Sequence, residues 1–247
     1  MGNTSSSTKI TSTQFHSKIE MSKKTGVLTL PNSKIEEIPL YILSLTNLKS
    51  LDLSGNRITR IPPEIKQLQN LKILNLSYNS IIELPQEIFE LKNLKTLNLS
   101  HNQISNISID IQKLKNLNQL ILSNNVITSI PKEINQLSSV TQIDLSSNRI
   151  QNLPDDIGNG LESCEEINVS NNVIVHVPVS IAKMPRLKNL KLNNNSIVDF
   201  PNEILSNSTV CFIEIENNVL PEDKFRELDG YEKYCERRKG RIDQFIK

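Results

Sequence analysis

A repeat of 23 residues constrains the fold of this chain more than any other feature of its sequence. One leucine or isoleucine marks the same position in every unit: Leu28, Leu51, Leu74, Leu97, Leu120, Ile143, Ile167, Leu190 and Ile213. The interval is 24 only between Ile143 and Ile167, where Gly158-Asn159-Gly160 can hold one extra residue in a turn. A fixed period of this length predicts a solenoid, in which each unit is one small structural element stacked on its neighbours.

Each unit contains two apolar residues separated by one residue, as in Leu74 and Leu76. Alternation at period two predicts a short strand whose apolar side chains point inward, and stacked units align these strands in a parallel sheet. The unit continues with a segment such as Ile130-Pro131 followed by Ile134. Proline fixes φ at a helix start without removing a needed donor, so we expect one or two helical turns opposite the sheet.

An asparagine follows the strand at the same position of eight units. The chain must turn there while its backbone lies near the core, where an unpaired polar group costs about 1–3 kcal/mol. An asparagine amide can donate to one loop and accept from the next, so we interpret this column as structural. Its members are Asn56, Asn79, Asn102, Asn125, Asn148, Asn172, Asn195 and Asn218.

The unit over residues 71–81, Leu-x-x-Leu-x-Leu-x-x-Asn-x-Ile, resembles the leucine-rich repeat family, and the resemblance extends over nine units. It implies an α/β fold: a right-handed horseshoe solenoid with a concave parallel sheet, short convex helical turns and helical caps. The chain is therefore divided into a flexible tail (1–9), an N-terminal cap (10–24), the repeats (25–221) and a C-terminal cap (222–247). We expect one cap helix from Phe225, Leu228, Tyr231, Tyr234 and Cys235, which recur near the helical period.

The segments that flank the repeats, Lys24 to Val27 and Leu228 to Tyr234, are similar to those of one intracellular branch of the family. That resemblance implies a small cytoplasmic protein with an N-terminal lipid and no assigned catalysis.

The N-terminus Met1-Gly2-Asn3-Thr4-Ser5-Ser6 fits the pattern for N-myristoylation, with Gly2 as the acceptor and Ser6 at the hydroxyl position. One myristoyl chain binds a membrane only marginally, with a constant of about 10⁴ M⁻¹. We therefore expect reversible, peripheral association with the cytoplasmic face of a membrane. A plain flexible tail without lipid is the alternative interpretation.

Composition and scattered reactive residues argue against other classes of function. A net charge of +1 disfavours a nucleic-acid binder, which needs a concentrated basic face. Three widely spaced cysteines form neither a disulfide framework nor a metal site. His16, His101 and His176 have no nucleophile or ligand beside them at catalytic or metal spacing. We expect no catalytic residues, no metal and no cofactor.

The side chains between the core leucines must point outward on the concave sheet, because successive strand residues alternate faces. This face is mostly amide and carboxylate, with isolated isoleucines at its middle and two aromatic rings on the adjoining turns. An apolar point ringed by polar groups is what a protein interface core requires, although isoleucine is also a good strand former. The candidate partner-binding residues are Asp52, Ile73, Asn75, Tyr78, Asn98, His101, Ile121, Asp144, Asn168 and Lys191.

These patterns predict a monomeric, non-catalytic interaction scaffold or adaptor in intracellular signalling. Its predicted partners are another protein on the concave face and a membrane reached through the N-terminal lipid. The alternative is a soluble regulatory subunit of a phosphatase or a small GTPase.

Overall fold

The part of the chain that the structure describes forms one open sheet of nine parallel strands in chain order. The computed structural model describes residues 12–246. The strands are β1 (Val27–Thr29), β2 (Ser50–Asp52), β3 (Ile73–Asn75), β4 (Thr96–Asn98), β5 (Gln119–Ile121), β6 (Gln142–Asp144), β7 (Glu166–Asn168), β8 (Asn189–Lys191) and β9 (Phe212–Glu214). The central residue of each strand pairs with the central residue of the next, as Leu51 does with Leu74. The predicted solenoid fold is therefore confirmed.

The inward side chains form one continuous aliphatic core. Leu51, Leu74 and Leu97 at the strand centres have no exposed surface. Since each strand is only three residues long, one unit cannot bury its own apolar side, and stability depends on stacking. Cys164 occupies a leucine position in this core and is fully buried.

Short helices line the side opposite the sheet. They are α2 (Leu40–Leu43), 3-10 helices at Pro63–Gln67, Gln86–Glu90, Ile109–Lys113, Lys132–Gln136 and Val179–Lys183, and α3 (Asn202–Asn207). A proline with extended backbone precedes most of them, whereas Ser108 caps its helix by accepting a hydrogen bond from the Asp110 amide. The prolines therefore lie one residue outside the helices, except for Pro63, which begins its own.

The unit with the extra residue departs from the expected helical turn. Residues 155–160 form turns instead of a helix. A Cβ atom at Gly158 would lie 1.9 Å from the Ser180 carbonyl oxygen, and one at Gly160 would lie 2.3 Å from the Asn135 carbonyl oxygen. Only glycine allows the neighbouring units to approach this closely, and this explains how the inserted residue is accommodated.

The asparagine that follows each strand bridges adjacent units. The Asn125 Nδ2 atom donates to the carbonyl oxygens of Leu99 and Leu122, each at 3.0 Å. Its Oδ1 atom accepts from the Ile104 amide, also at 3.0 Å. The other seven asparagines of this column make the same kind of contacts.

A second asparagine column lies in the loops that lead into the strands. The Nδ2 atoms of Asn70, Asn93 and Asn116 each donate to a carbonyl oxygen of the preceding unit, at 2.9, 2.8 and 2.8 Å. Asn47 makes the equivalent bond to the Lys23 carbonyl oxygen at the end of the first helix. This column recurs at the same period as the first, and sequence reasoning missed it.

Helices cover both ends of the sheet. Helix α1 (Ser12–Thr25) packs against β1, and its Phe15 and Ile19 are partly buried against the core. Gly2 and the tail 1–9 lie outside the described residues, as does Ile10 at the start of the predicted N-terminal cap. None of the helices within residues 12–246 combines the length and apolar character that a membrane crossing requires.

The C-terminal cap consists of two helices, so the expected single cap helix is wrong. Helix α4 (Glu222–Arg226) is separated from α5 (Tyr231–Ile246) by a turn at Gly230, where φ is 89°. Tyr234 is buried, and its hydroxyl oxygen accepts from the Ile213 amide of the last strand at 3.1 Å. Cys235 was predicted in the cap core, but it is exposed, because Tyr234 faces the core and the next residue of a helix is turned about 100° away from it.

Candidate protein-binding surface

The outward side chains of the nine strands, together with those on the turns that follow, are called the sheet face below. Strand register brings the predicted residues into two neighbouring columns. The third position of successive strands places Asp52, Asn75, Asn98, Ile121, Asp144, Asn168 and Lys191 side by side. Ile73 lies in the column formed by the first strand position.

Polar residues of the third-position column also hold the turn after the strand. The Asn75 Oδ1 atom accepts from the Ser77 amide at 3.1 Å and from its hydroxyl at 2.8 Å. Asp52, Asn98, Asp144 and Asn168 accept in the same way from the amide two residues later. One oxygen of each side chain therefore stabilises the turn. This role was not predicted, although the Asx-x-Ser spacing is visible in the sequence.

A chain of side-chain hydrogen bonds crosses the distal half of the sheet face. Gln119 Nε2 donates to Gln142 Oε1 at 3.3 Å, and Gln142 Nε2 donates to Glu166 Oε1 at 3.5 Å. Lys191 Nζ lies 3.2 Å from the same Glu166 oxygen. Lys191 is thus part of an ion pair with Glu166, a residue that sequence reasoning did not select.

The apolar points lie nearer the N-terminal end. The Ile73 side chain is 44% exposed on β3, whereas Ile121 on β5 is half-buried among its neighbours. Exposed aliphatic groups on a face of amides and carboxylates have no role in the core. They are available to an incoming apolar group.

Tyr78 and His101 stack on each other on the turns after β3 and β4. Their ring centroids are 3.9 Å apart and the rings are inclined by only 11°. Both residues have φ of 54°, in the left-handed region. The equivalent positions of the other units carry the residues Asn32, Gly55, Asn124, Ser147, Asn171, Asn194 and Asn217. Asparagine and glycine tolerate this conformation, whereas large side chains adopt it only with strain.

Cys164 and His176 lie apart from this surface. Burial raises the pKa of the Cys164 thiol to about 12, so the nucleophilic thiolate is disfavoured at neutral pH. His176 lies on the side opposite the sheet, with Nδ1 3.0 Å from Asp199 Oδ1. No group of three or more metal-ligating side chains occurs within residues 12–246.

The stacked strands, the asparagine columns and the buried leucines define a leucine-rich repeat solenoid. The sequence matches the family described as Leucine rich repeat over residues 69–127, 109–150 and 138–197. It also matches Leucine Rich repeats (2 copies) over residues 46–91. The first match alone extends over more than half of the chain, and the protein belongs to the leucine-rich repeat family.

Solved structures share the fold. A leucine-rich repeat protein of Leptospira interrogans is 30% identical, with a TM-score of 0.65 over 85% of this chain and 58% of its own. The plant peptide hormone receptor RGFR1 in complex with RGF2 is 28% identical, with a TM-score of 0.66 over 73% of this chain and 30% of its own.

A third similar structure is the ectodomain of the Arabidopsis thaliana receptor kinase GASSHO1/SCHENGEN3 in complex with CASPARIAN STRIP INTEGRITY FACTOR 2. It is 26% identical, with a TM-score of 0.58 over 79% of this chain and 28% of its own. The chain thus spans less than two thirds of each of these three proteins.

Proposed function

We propose that this protein is a non-catalytic protein–protein interaction scaffold that binds its partner on the sheet face around β3 to β5. Two observations carry the proposal: the exposed side chain of Ile73 on β3, and the stacked rings of Tyr78 and His101 on the turns after β3 and β4. Ile73 is 44% exposed and Tyr78 is 59% exposed, on a face otherwise lined by polar side chains. Interface cores combine aromatic or aliphatic anchors with a polar rim.

Backbone strain at the two rings supports a binding role. A large side chain in the left-handed region costs about 1–3 kcal/mol, and asparagine fits the same turn in neighbouring units with less strain. Stacking of the two rings offsets only part of this, about 0.5–1.5 kcal/mol. The rings therefore contribute little to the fold, and we interpret them as anchors for a partner.

The similar structures support a polypeptide partner. Two of them are plant receptors in complex with RGF2 and with CASPARIAN STRIP INTEGRITY FACTOR 2. By analogy of fold, we expect this chain also to hold a polypeptide, while the identity of that partner is particular to this protein.

Affinity purification from native cells tests the proposed surface. We compare the wild type with the sheet-face variant Ile73→Glu/Ile121→Glu and with Ile109→Glu, a control whose side chain is 59% exposed on a helix opposite the sheet. The face variant should lose its specific partner by about tenfold or more, because a charge is placed in an apolar contact. The control should retain it, and equal retention by both variants would contradict the proposal.

The proposed function also includes attachment to a membrane. Gly2 fits N-myristoylation, and the flanking segments resemble those of leucine-rich repeat-containing protein 57. We infer a reversibly anchored adaptor on the cytoplasmic face of a membrane, acting in intracellular signalling. Gly2→Ala should move the protein from the membrane fraction to the cytosol without changing its melting temperature.

Membrane fractionation of the wild type also tests the alternative function. A soluble regulatory subunit of a phosphatase or a small GTPase would use the same sheet face without an anchor. A wild-type protein that is wholly cytosolic, with no lipid on its mature N-terminus, would contradict the membrane setting and favour this alternative.

A further inference from the structure

A strongly basic surface lies at the edge where the first strands begin. The loops leading into β2 to β5 (residues 44–49, 67–72, 90–95 and 113–118) contain six lysines and one glutamate. The corresponding loops leading into β7 and β8 (160–165 and 183–188) contain three basic and two acidic residues. Positive charge is therefore concentrated on one edge of the N-terminal half of a protein whose net charge is +1.

The lysines of this edge are held in register by the backbone. The Lys72 amide donates to the Lys49 carbonyl oxygen, and the Lys95 amide donates to the Lys72 carbonyl oxygen, both at 2.8 Å. The three exposed side chains consequently emerge from adjacent strands, about 4.8 Å apart. Lys92 and Lys115 are exposed in the same loops. These five lysines are called the basic flank.

The fold leaves most of this charge without a counterion. Within residues 12–246, Lys49, Lys72, Lys92 and Lys95 have no carboxylate at ion-pair distance, and Lys115 donates to the Gln136 carbonyl oxygen. Like charges on adjacent strands repel and destabilise the sheet. Lysines that repel one another and have no carboxylate partner in the fold therefore indicate a negatively charged binding partner.

At the distal end of the sheet, the same column of residues contains a lysine paired with a glutamate. Glu165 and Lys188 occupy the positions equivalent to Lys72 and Lys95, and Lys188 Nζ lies 2.8 Å from Glu165 Oε2. The hydrogen bond from Lys188 lowers the pKa of the Glu165 carboxyl below its ordinary value. These positions can therefore hold an ion pair, whereas in the basic flank they hold two lysines.

We propose that the basic flank docks on an anionic membrane surface. The flank carries lysine and no arginine, and lysine acts as a hydrated point charge, whereas arginine is favoured for bidentate recognition of protein carboxylates. Lysines close to an anionic leaflet attract it without specific geometry. This inference rests on the proposed membrane association and adds a second membrane contact to it.

The flank complements an N-terminal lipid anchor. The Asn47 Nδ2 atom donates to the Lys23 carbonyl oxygen at 2.6 Å, so the C-terminal end of α1 adjoins the flank. A single myristoyl chain requires a second signal for stable anchoring, and the flank provides one on the folded surface. Because all strands begin at this edge, docking directs them away from the membrane and leaves the sheet face free.

Vesicle sedimentation with unlipidated full-length protein tests the inference. Wild type should bind phosphatidylcholine vesicles only when phosphatidylserine is included. The variant Lys49→Gln/Lys72→Gln/Lys95→Gln should bind about a hundredfold more weakly, since each lysine near the surface contributes a factor of about five. Binding should also fall steeply as salt rises from about 0.1 M to about 0.5 M.

The control carries the same change in net charge elsewhere. Lys132→Gln/Lys183→Gln/Lys233→Gln alters three exposed lysines outside the flank and should bind as the wild type does. Unaltered melting temperatures would show that both triple variants are folded. Equal weakening of both, or wild-type binding to polyglutamate but not to the vesicles, would overturn the inference. The assay contains no protein partner, so its failure is independent of the proposed sheet-face function.

Discussion

Asn125→Ala tests how the units are held together. The wild-type residue is 7% exposed and makes three hydrogen bonds of 3.0 Å, one within its own unit and two to the preceding unit. Alanine leaves the buried Ile104 amide without an acceptor. The Leu99 carbonyl oxygen keeps a bond from Asn102, and the Leu122 carbonyl oxygen keeps one from Asn148.

The expected loss of stability is the sum of the costs of these lost hydrogen bonds. An orphaned buried amide costs about 1–3 kcal/mol, and each lost bond to a carbonyl that keeps another donor costs less than the usual value of about 1 kcal/mol. We expect Asn125→Ala to reduce the free energy of unfolding by about 3 kcal/mol. Asn218→Ala should cost less, because this side chain is half-buried in the last unit and water can replace its bonds.

Urea unfolding followed by circular dichroism measures the effect through the transition midpoint. The matched control is Asn152→Ala, an exposed asparagine outside both columns, which should change stability by less than about 0.5 kcal/mol. If Asn125→Ala and Asn152→Ala had the same midpoint, the asparagine column would not stabilise the solenoid and the reasoning would be refuted.

Two further predictions concern the aromatic pair and the buried thiol. Tyr78→Asn/His101→Asn should leave the melting temperature unchanged or raise it, because relief of left-handed strain offsets the lost stacking, while partner binding falls; a clear fall in stability would assign the rings to the fold instead. Cys164 should resist thiol reagents at pH values where exposed Cys235 reacts. Burial raises the pKa of the Cys164 thiol to about 12, so its contribution to stability is present below about pH 9 and is lost as the pH rises toward about 12. Alkaline melts should therefore show a smaller loss in Cys164→Val than in the wild type, and identical losses would contradict this assignment.

The repeated features of the fold were predictable because every unit solves the same physical problem. Leu74, Asn79 and Pro85 recur with the period of the solenoid, and each type has one physical role in the unit. Alternation along a strand was also sufficient to place Asp52 and Asn75 next to each other on the sheet face. Periodicity predicts what all units share.

Features that belong to one unit depend on contacts that the period does not encode. The spacing of Tyr78 and His101 predicts that they are neighbours, but their stacking also requires particular orientations of the two rings, which the spacing does not encode. The break at Gly230 follows from its close approach to Ser206, where a Cβ atom would lie 2.2 Å from the hydroxyl oxygen. Ion pairing of Lys191 with Glu166 likewise requires the positions of two strands.

Site-specific photo-crosslinking in native cells tests the central claim most directly. A photoreactive amino acid replaces Asn98 on the sheet face in one protein and Ile109 on the opposite side in another. Asn98 lies between the third residues of β3 and β5, beside the proposed anchors, whereas Ile109 is exposed on a 3-10 helix away from the sheet. We predict that one discrete protein adduct forms from position 98 and is absent from position 109. An adduct from position 109 with none from position 98 would contradict binding on the sheet face.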